Sequence, residues 1–300
     1  MSDQVKVAFP GLGLDLGTFD SVAFYIGDRA VMWYGVIIAC GMLLAIAYAA
    51  YRCKQHQIKI DDLIDIAIFT IFFGIIGARL YYVSLNLDKF NSFAEILGFG
   101  KNGLAGLAIL GGVAFGAITI VVVCLIKKIS WRQLFDCVAP AVMLAQAIGR
   151  WGNFMNGEAY GEIVSEGHPL YFLRMGLSSS NTTEFGTFDM VYVHPCFLYE
   201  SVWNVIGFIL INIFYKKKKF DGQIALYYAI WYGFGRMFIE GLRTDALYIG
   251  NTGIRVSQLL GFLLFAVGTA LIVYGLIFVK KNPDSKFAKV EFPVASTEKE

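Results

Sequence analysis

Residues 256–279, VSQLLGFLLFAVGTALIVYGLIFV, run for 24 positions without a charged side chain. A helix rising about 1.5 Å per residue would carry such a stretch across the roughly 30 Å of a bilayer's hydrocarbon core. It has no polar face to turn toward water, as expected of a helix solvated by lipid. Working outward, comparable stretches lie near Val31–Tyr51, Leu63–Leu85, Leu104–Ile126, Leu134–Asn153, Phe197–Tyr215 and Gly222–Leu242. The 300-residue chain is 57% hydrophobic and 16% charged, with a mean hydropathy of +0.61. A soluble domain would carry about a quarter of its residues as charges. The expectation is an all-α polytopic membrane protein with about seven transmembrane helices. The fourth to sixth stretches are the least clean, because Arg150, Glu200, Arg236 and Glu240 interrupt or end them.

Orientation follows from the basic residues, which favour cytoplasmic loops. Arg52, Lys54 and Lys59 follow the first stretch, and Lys127, Lys128 and Arg132 follow the third. Lys216–Lys219 follow the fifth, a run read as a topology anchor, and Lys280, Lys281, Lys286 and Lys289 follow the seventh. The alternate loops are poor in lysine, so the N-terminus is expected outside and the C-terminus in the cytoplasm. No basic start with a short apolar core opens the chain, so no removable signal peptide is expected. Residues 1–30 read as an interfacial arm, broken by Pro10, Gly11, Gly13 and Gly17. Residues 31–279 read as the seven-helix domain, with 162–194 as a small outer cap, and 280–300 as a disordered cytoplasmic tail.

The stretch GRWGNFMNGEAYG, residues 149–161, puts an arginine, two amides and a carboxylate where the fourth apolar segment runs out. An arginine near hydrocarbon costs about 2.5–3.5 kcal/mol on insertion scales, so it faces a protein interior or polar cavity and has a function by default. The sixth segment, YYAIWYGFGRMFIEGLR (227–243), spaces Tyr232, Arg236, Glu240 and Arg243 along one helical stripe. A self-neutralising Arg236–Glu240 ion pair would account for part of it. Two arginines around one glutamate, with Arg150 arriving from another helix end, instead predict a cationic site suited to phosphate, whose oxygens guanidinium groups hold with two parallel hydrogen bonds.

The 149–161 string resembles the signature of the bacterial prolipoprotein diacylglyceryl transferases, with Arg150, Asn153, Asn156, Glu158 and Gly161 in register. Trp33-Tyr34-Gly35, the Gly77/Arg79/Tyr82 pattern, His194-Pro195 with Tyr199-Glu200, the Tyr232–Arg243 series and Ser257-Gln258 are similar to that family's other elements, in order. The resemblance covers roughly residues 30–265. It implies transfer of the diacylglyceryl group of phosphatidylglycerol to the thiol of the lipobox cysteine in a prolipoprotein signal peptide, forming a thioether and releasing glycerol phosphate. It also implies a multi-pass enzyme of the bacterial cell membrane, its active site toward the outer face.

Under that reading Arg150, Arg236 and Glu240 are the catalytic candidates. Arg150, Asn153, Tyr34, Tyr232 and Arg243 would bind phosphatidylglycerol. Asn156, Glu158, Gly161 and His194 would organise the site. The family usually has His or Tyr before its Gly-Gly pair, where this chain has Leu110. Leucine cannot take a proton, so the base for the thiol is vacant or relocated, with Glu240, Glu158, His194 and Tyr34 all open. No metal, cofactor or nucleic acid is called for. The five cysteines read as small buried hydrophobes, and His56 and His168 as surface loop residues. The alternative, a transporter or channel for an anionic solute, would also explain intramembrane arginines. It calls for paired halves with matching interruptions, and the sequence has no such internal symmetry.

Overall fold

The structure is a computed structural model and describes residues 4–90, 92–96, 98, 106–179, 182, 190–250, 252–285, 287, 288 and 290. In chain order the elements are β1 (Gln4–Phe9), β2 (Leu14–Asp20), β3 (Val22–Ile26), β4 (Arg29–Met32), α1 (Trp33–Gln55), α2 (Ile60–Leu85), α3 (Phe93–Ile96), α4 (Ile109–Ile126), α5 (Trp131–Asn156), β5 (Met175–Ser178), β6 (Val191–Val193), α6 (Cys196–Phe214), α7 (Gln223–Ile239) and α8 (Val256–Lys281). The chain is mostly helical. Among the described residues five helices, α1, α2, α4, α6 and α8, are long and apolar enough to cross a membrane. They leave large apolar side chains such as Leu43, Phe72, Ile118 and Val273 on the outside, as helices solvated by lipid do. α7 has 17 residues and α5 carries Arg132, Asp136 and Arg150, so neither passes on length and composition alone.

The strands are the departure from the all-α expectation. β1 pairs antiparallel with both β2 and β5, giving the order β2-β1-β5-β6, and β3 pairs with β4 as a separate hairpin. Val5, Val7 and Phe9 alternate inward from β1 onto Tyr160, Met175, Leu177, Val191, Val193 and Phe197. The breakers that suggested an irregular arm are the joints of this sheet. Pro10–Leu12 is a 3-10 turn ended by left-handed Gly13, and Gly17 (φ 72°) sits opposite Val7, where the register shifts.

The chain divides into two compact units, one of Met1–Ala49 with Asp136–Val290 and one containing Ala50–Phe135. In the second unit α2 and α4 pack through small residues. A Cβ on Gly111 would overlap the carbonyl of Gly77, and one on Gly112 would stand 3.3 Å from the carbonyl oxygen of Gly74, so the glycines permit backbone-to-backbone approach. α4 starts at Ile109, not Leu104: Gly106 is left-handed and Ala108 extended, while 104–105 lie outside the described residues. Buried Arg79 donates to the carbonyls of Glu95, Ile96 and Gly106 at 2.6, 2.9 and 3.1 Å, tying down the segment after α2. Tyr82 packs against Gly106. His56, expected at the surface, is buried. Lys127 reaches Asp62 and Asp65 at 2.7 Å each; these hydrogen bonds raise its pKa above the ordinary lysine value.

In the first unit Trp203 and Trp231 stack at 4.2 Å and each donates its indole N–H to the other's carbonyl at 2.9 Å. Gly207 and Gly235 make room for the two rings, fixing α6 against α7. Gly233 and Gly261 meet backbone to backbone between α7 and α8. At the other end of α7, the buried Asp136 of α5 accepts from Lys218 Nζ (2.8 Å) and from the Gly222 and Ala225 amides (2.9 and 3.0 Å). It therefore caps the helix start from outside its own chain segment. Lys218 is thus a buried structural residue, unlike its exposed neighbours Lys216, Lys217 and Lys219. Of the cysteines, Cys53, Cys124, Cys137 and Cys196 are buried as expected, and Cys40 is exposed.

Candidate active site

α5 stays helical to Asn156, so Arg150 and Asn153 share a face. Arg150 Nη1 donates to Asn153 Oδ1 at 3.1 Å, and Asn153 Nδ2 donates to Glu158 Oε1 at 2.9 Å. The carboxylate can fold back because Gly157 (φ 59°) and Ala159 (φ 56°) are both left-handed just past the helix end. Gly152 lets Tyr34 in from the first turn of α1: a Cβ at Gly152 would stand 2.8 Å from Tyr34 Cδ2. Asn156 is the last residue of α5 and half-buried.

The arginines converge on a carboxylate that the sequence reading left without a role. Glu200, in the second turn of α6, is 4% exposed. Its Oε2 lies 2.6 Å from Arg150 Nη2, and its Oε1 lies 2.5 Å from Arg236 Nη1 and 3.6 Å from Arg243 Nη1. Arg236 Nη2 also reaches Glu240 Oε2 at 2.6 Å, so the i,i+4 pair expected on α7 forms. Arg243 is gripped by both oxygens of Asp245, at 2.9 and 2.7 Å. This corrects the expected surplus of positive charge. Three guanidiniums meet three carboxylates, from Glu200, Glu240 and Asp245. The signal for Glu200 was present, since it is an acid within an otherwise apolar helix; its partners were not legible.

Arg243 also departs from the predicted stripe. α7 ends at Ile239, Glu240–Leu242 form a 3-10 turn, and Arg243 is extended (φ −78°, ψ 143°), bridging to Gly161. A Cβ at Gly161 would press on His194 Cβ (2.7 Å), the Leu242 carbonyl (2.8 Å) and Cys196 Sγ (2.9 Å), so the signature's last glycine is a packing requirement. Arg255, unassigned by sequence, donates through Nη1 to the carbonyls of Glu240 and of Arg243 (3.0 Å) and stabilises the C-terminal end of α7. Tyr232 stacks on Tyr228 and lines a small cavity with Glu200, Trp203, Asn204 and Arg236.

His194 sits beside this cluster, its Nδ1 3.2 Å from the Tyr199 hydroxyl and its ring edge-to-face with His168. Thus His168 is a packing partner and not merely a surface residue. Burial pushes the His194 pKa below its ordinary value, His168 adds to the shift and Glu162 opposes it. The unfolded chain then takes up a proton that the folded chain resists. Stability from this site is complete above about pH 6.5 and is lost as the pH falls through the folded value. Unfolding midpoints measured from pH 8 to 5 should fall at the acidic end for the parent protein and fall less for His194→Gln. Equal slopes would remove His194 from the acid response.

The sequence model of the family described as prolipoprotein diacylglyceryl transferase matches residues 21–274. Three curated relatives, each named phosphatidylglycerol–prolipoprotein diacylglyceryl transferase, give the same result. The protein from Streptococcus sanguinis is 42% identical over 259 residues, 85% of this chain and 95% of its own length. That from Listeria welshimeri is 40% identical over 288 residues, 93% of this chain and 99% of its own. That from Staphylococcus epidermidis is 40% identical over 268 residues, 88% of this chain and 91% of its own. With the match spanning the signature, the arginine cluster and most of the helices, the chain belongs to the prolipoprotein diacylglyceryl transferase family.

Proposed function

We propose that the protein transfers the diacylglyceryl group of phosphatidylglycerol to the thiol of a prolipoprotein's lipobox cysteine. The observation that carries this reading is the convergence of Arg150, Arg236 and Arg243 on one buried point between α5, α6 and α7. The substrate sulfur attacks the glyceryl carbon bearing the phosphate. The carbon–oxygen bond breaks, its electron pair goes to the phosphate oxygen, and glycerol phosphate leaves. Arg150 and Arg236 bind the phosphate and stabilise the charge that develops on the departing oxygen. A thiolate is the nucleophile, so the thiol proton must pass to a base, for which Glu240, Glu158, His194 and Tyr34 are the candidates. Tyr34, Tyr232, Asn153 and Arg243 complete the lipid site, while Asn156, Gly161 and His194 hold its walls.

Asn153 and Glu158 aim Arg150, since they form the hydrogen-bonded chain behind it. Glu158→Gln should therefore lower turnover without deleting a limb of the pH–rate profile; loss of a limb would make Glu158 a proton acceptor. The direct assay is transfer of radiolabelled diacylglycerol from phosphatidylglycerol to a lipobox peptide by purified protein. Labelled peptide is expected. Its absence, with anion flux in proteoliposomes, would favour a transporter.

All seven long helices are taken as spans, with α7 completed by its 3-10 turn through Leu242, the N-terminus outside and the C-terminus inside. The β-sheet with the described part of 162–194 then caps the outer face, where the exported peptide arrives. The loop-by-loop lysine and arginine bias supports this orientation. Cysteine probes at exposed Ser165 and Lys219 test it: an impermeant reagent applied to cells with outer-face access should label position 165 and spare 219. The reverse pattern would invert the orientation and the placement of the site.

A further inference from the structure

The centre of the arginine cluster is already occupied by an anion of the protein's own. Glu200 presents its two oxygens to guanidinium nitrogens of two different helices, Arg150 on α5 and Arg236 on α7, at 2.6 and 2.5 Å, with Arg243 at 3.6 Å. The two non-bridging oxygens of a phosphodiester would make the same demand on the same N–H groups. The other acids facing the cluster each hold a single group: Glu240, itself buried, on Arg236, Asp245 on Arg243, and Glu158 on Asn153. Among the described residues, Glu200 alone bridges the arginines.

We propose that Glu200 is a built-in stand-in for the lipid phosphodiester, pairing the arginines between turnovers and yielding them when phosphatidylglycerol binds. The proposal rests on the diacylglyceryl-transfer reading. Its physical reason is twofold. Three guanidiniums 11–22% exposed would be costly without a counter-charge at their centre. The glycerol phosphate product also carries more negative charge than the phosphodiester substrate, so an unopposed arginine cluster would hold it longest; a returning carboxylate expels it. Beside Glu200 is a gap with room for about one water molecule, toward which the displaced group can swing as the lining shifts. The small cavity beside Glu200 is lined by Trp203, Asn204, Tyr232, Gly235, Arg236 and Ile239. Asn204 there is 2% exposed, and its amide oxygen has no hydrogen-bond partner. Its amide can turn an N–H toward an incoming carboxylate. Glu200 thus acts through the arginines as a positioning residue.

Steady-state kinetics of the full-length protein in mixed micelles of phosphatidylglycerol, with inorganic phosphate as competing anion, separate this role from scaffolding. Glu200→Gln should lower both the KM for phosphatidylglycerol and the inhibition constant of phosphate by about tenfold, the effect of removing one charge-assisted competitor, while kcat falls. Asn204→Leu fills the receiving cavity and should raise KM. Difference infrared spectra of the unmutated protein should show a carboxylate band that moves when phosphatidylglycerol is added and shifts in Glu200→Asp. These last two measurements decide the matter if Glu200→Gln does not fold. A KM that is unchanged or raised in Glu200→Gln, or a carboxylate band indifferent to lipid, overturns the proposal while leaving the transferase reading intact. An unmutated protein that transfers nothing overturns both.

Discussion

Arg150→Lys and Arg236→Lys should each lose about a hundredfold or more in turnover while still inserting and folding, the scale seen when one oxyanion-stabilising donor is removed. Each arginine uses separate nitrogens for separate partners. Arg150 joins Asn153 to Glu200, and Arg236 joins Glu200 to Glu240. A lysine keeps the charge but ends in one compact ammonium that cannot span two partners in a fixed plane. The phosphate would lose the two-pronged grip, and the departing oxygen would lose a donor fixed before the bond breaks. Turnover with a radiolabelled lipid donor, normalised to folded protein in the membrane, reads the effect. Near-normal transfer by either variant would make that arginine a structural ion-pair partner.

Asp136→Ala should be the most damaging change to stability outside the site. The carboxylate and Lys218 Nζ are both fully buried, and the same carboxylate holds the Gly222 and Ala225 amides. Removing it leaves an ammonium short of a partner, although Asp221 remains at 3.0 Å, and two orphaned amides at the start of α7. Breaking a buried pair from one side costs about 3–5 kcal/mol. The unfolding midpoint in detergent should fall sharply for Asp136→Ala and recover partly in Asp136→Ala/Lys218→Met, where the stranded charge is gone. A double variant no more stable than the single one would show that the amide cap, not the ion pair, dominates.

Where hydropathy alone decides, the helices were legible: the uncharged run at 256–279 becomes α8, Val256–Lys281. The start of α4 was not, because hydropathy cannot register the left-handed backbone of Gly106. The strands were hidden for another reason. Val5, Val7 and Phe9 alternate over only six residues, and of the two strands that pair with them, β2 is broken up by Gly17 and β5 lies some 170 residues further along the chain. Arg150, Arg236 and Glu240 were legible as charges in apolar sequence. Glu200 emitted the same signal, yet its position among three arginines depends on how α5, α6 and α7 pack. Asp245 and Arg255 had no role assigned from the sequence, and only the turn after α7 gives them their contacts.

The central claim is that the arginine cluster releases glycerol phosphate only when a thiol takes the diacylglyceryl group. Phosphorus NMR of purified protein with phosphatidylglycerol and a lipobox peptide measures this directly. One glycerol phosphate should appear per thioether formed, and none with a peptide whose cysteine is serine. Release without peptide would mean that water is the nucleophile, and release with the serine peptide that water or a hydroxyl can replace the thiol; either would contradict the account.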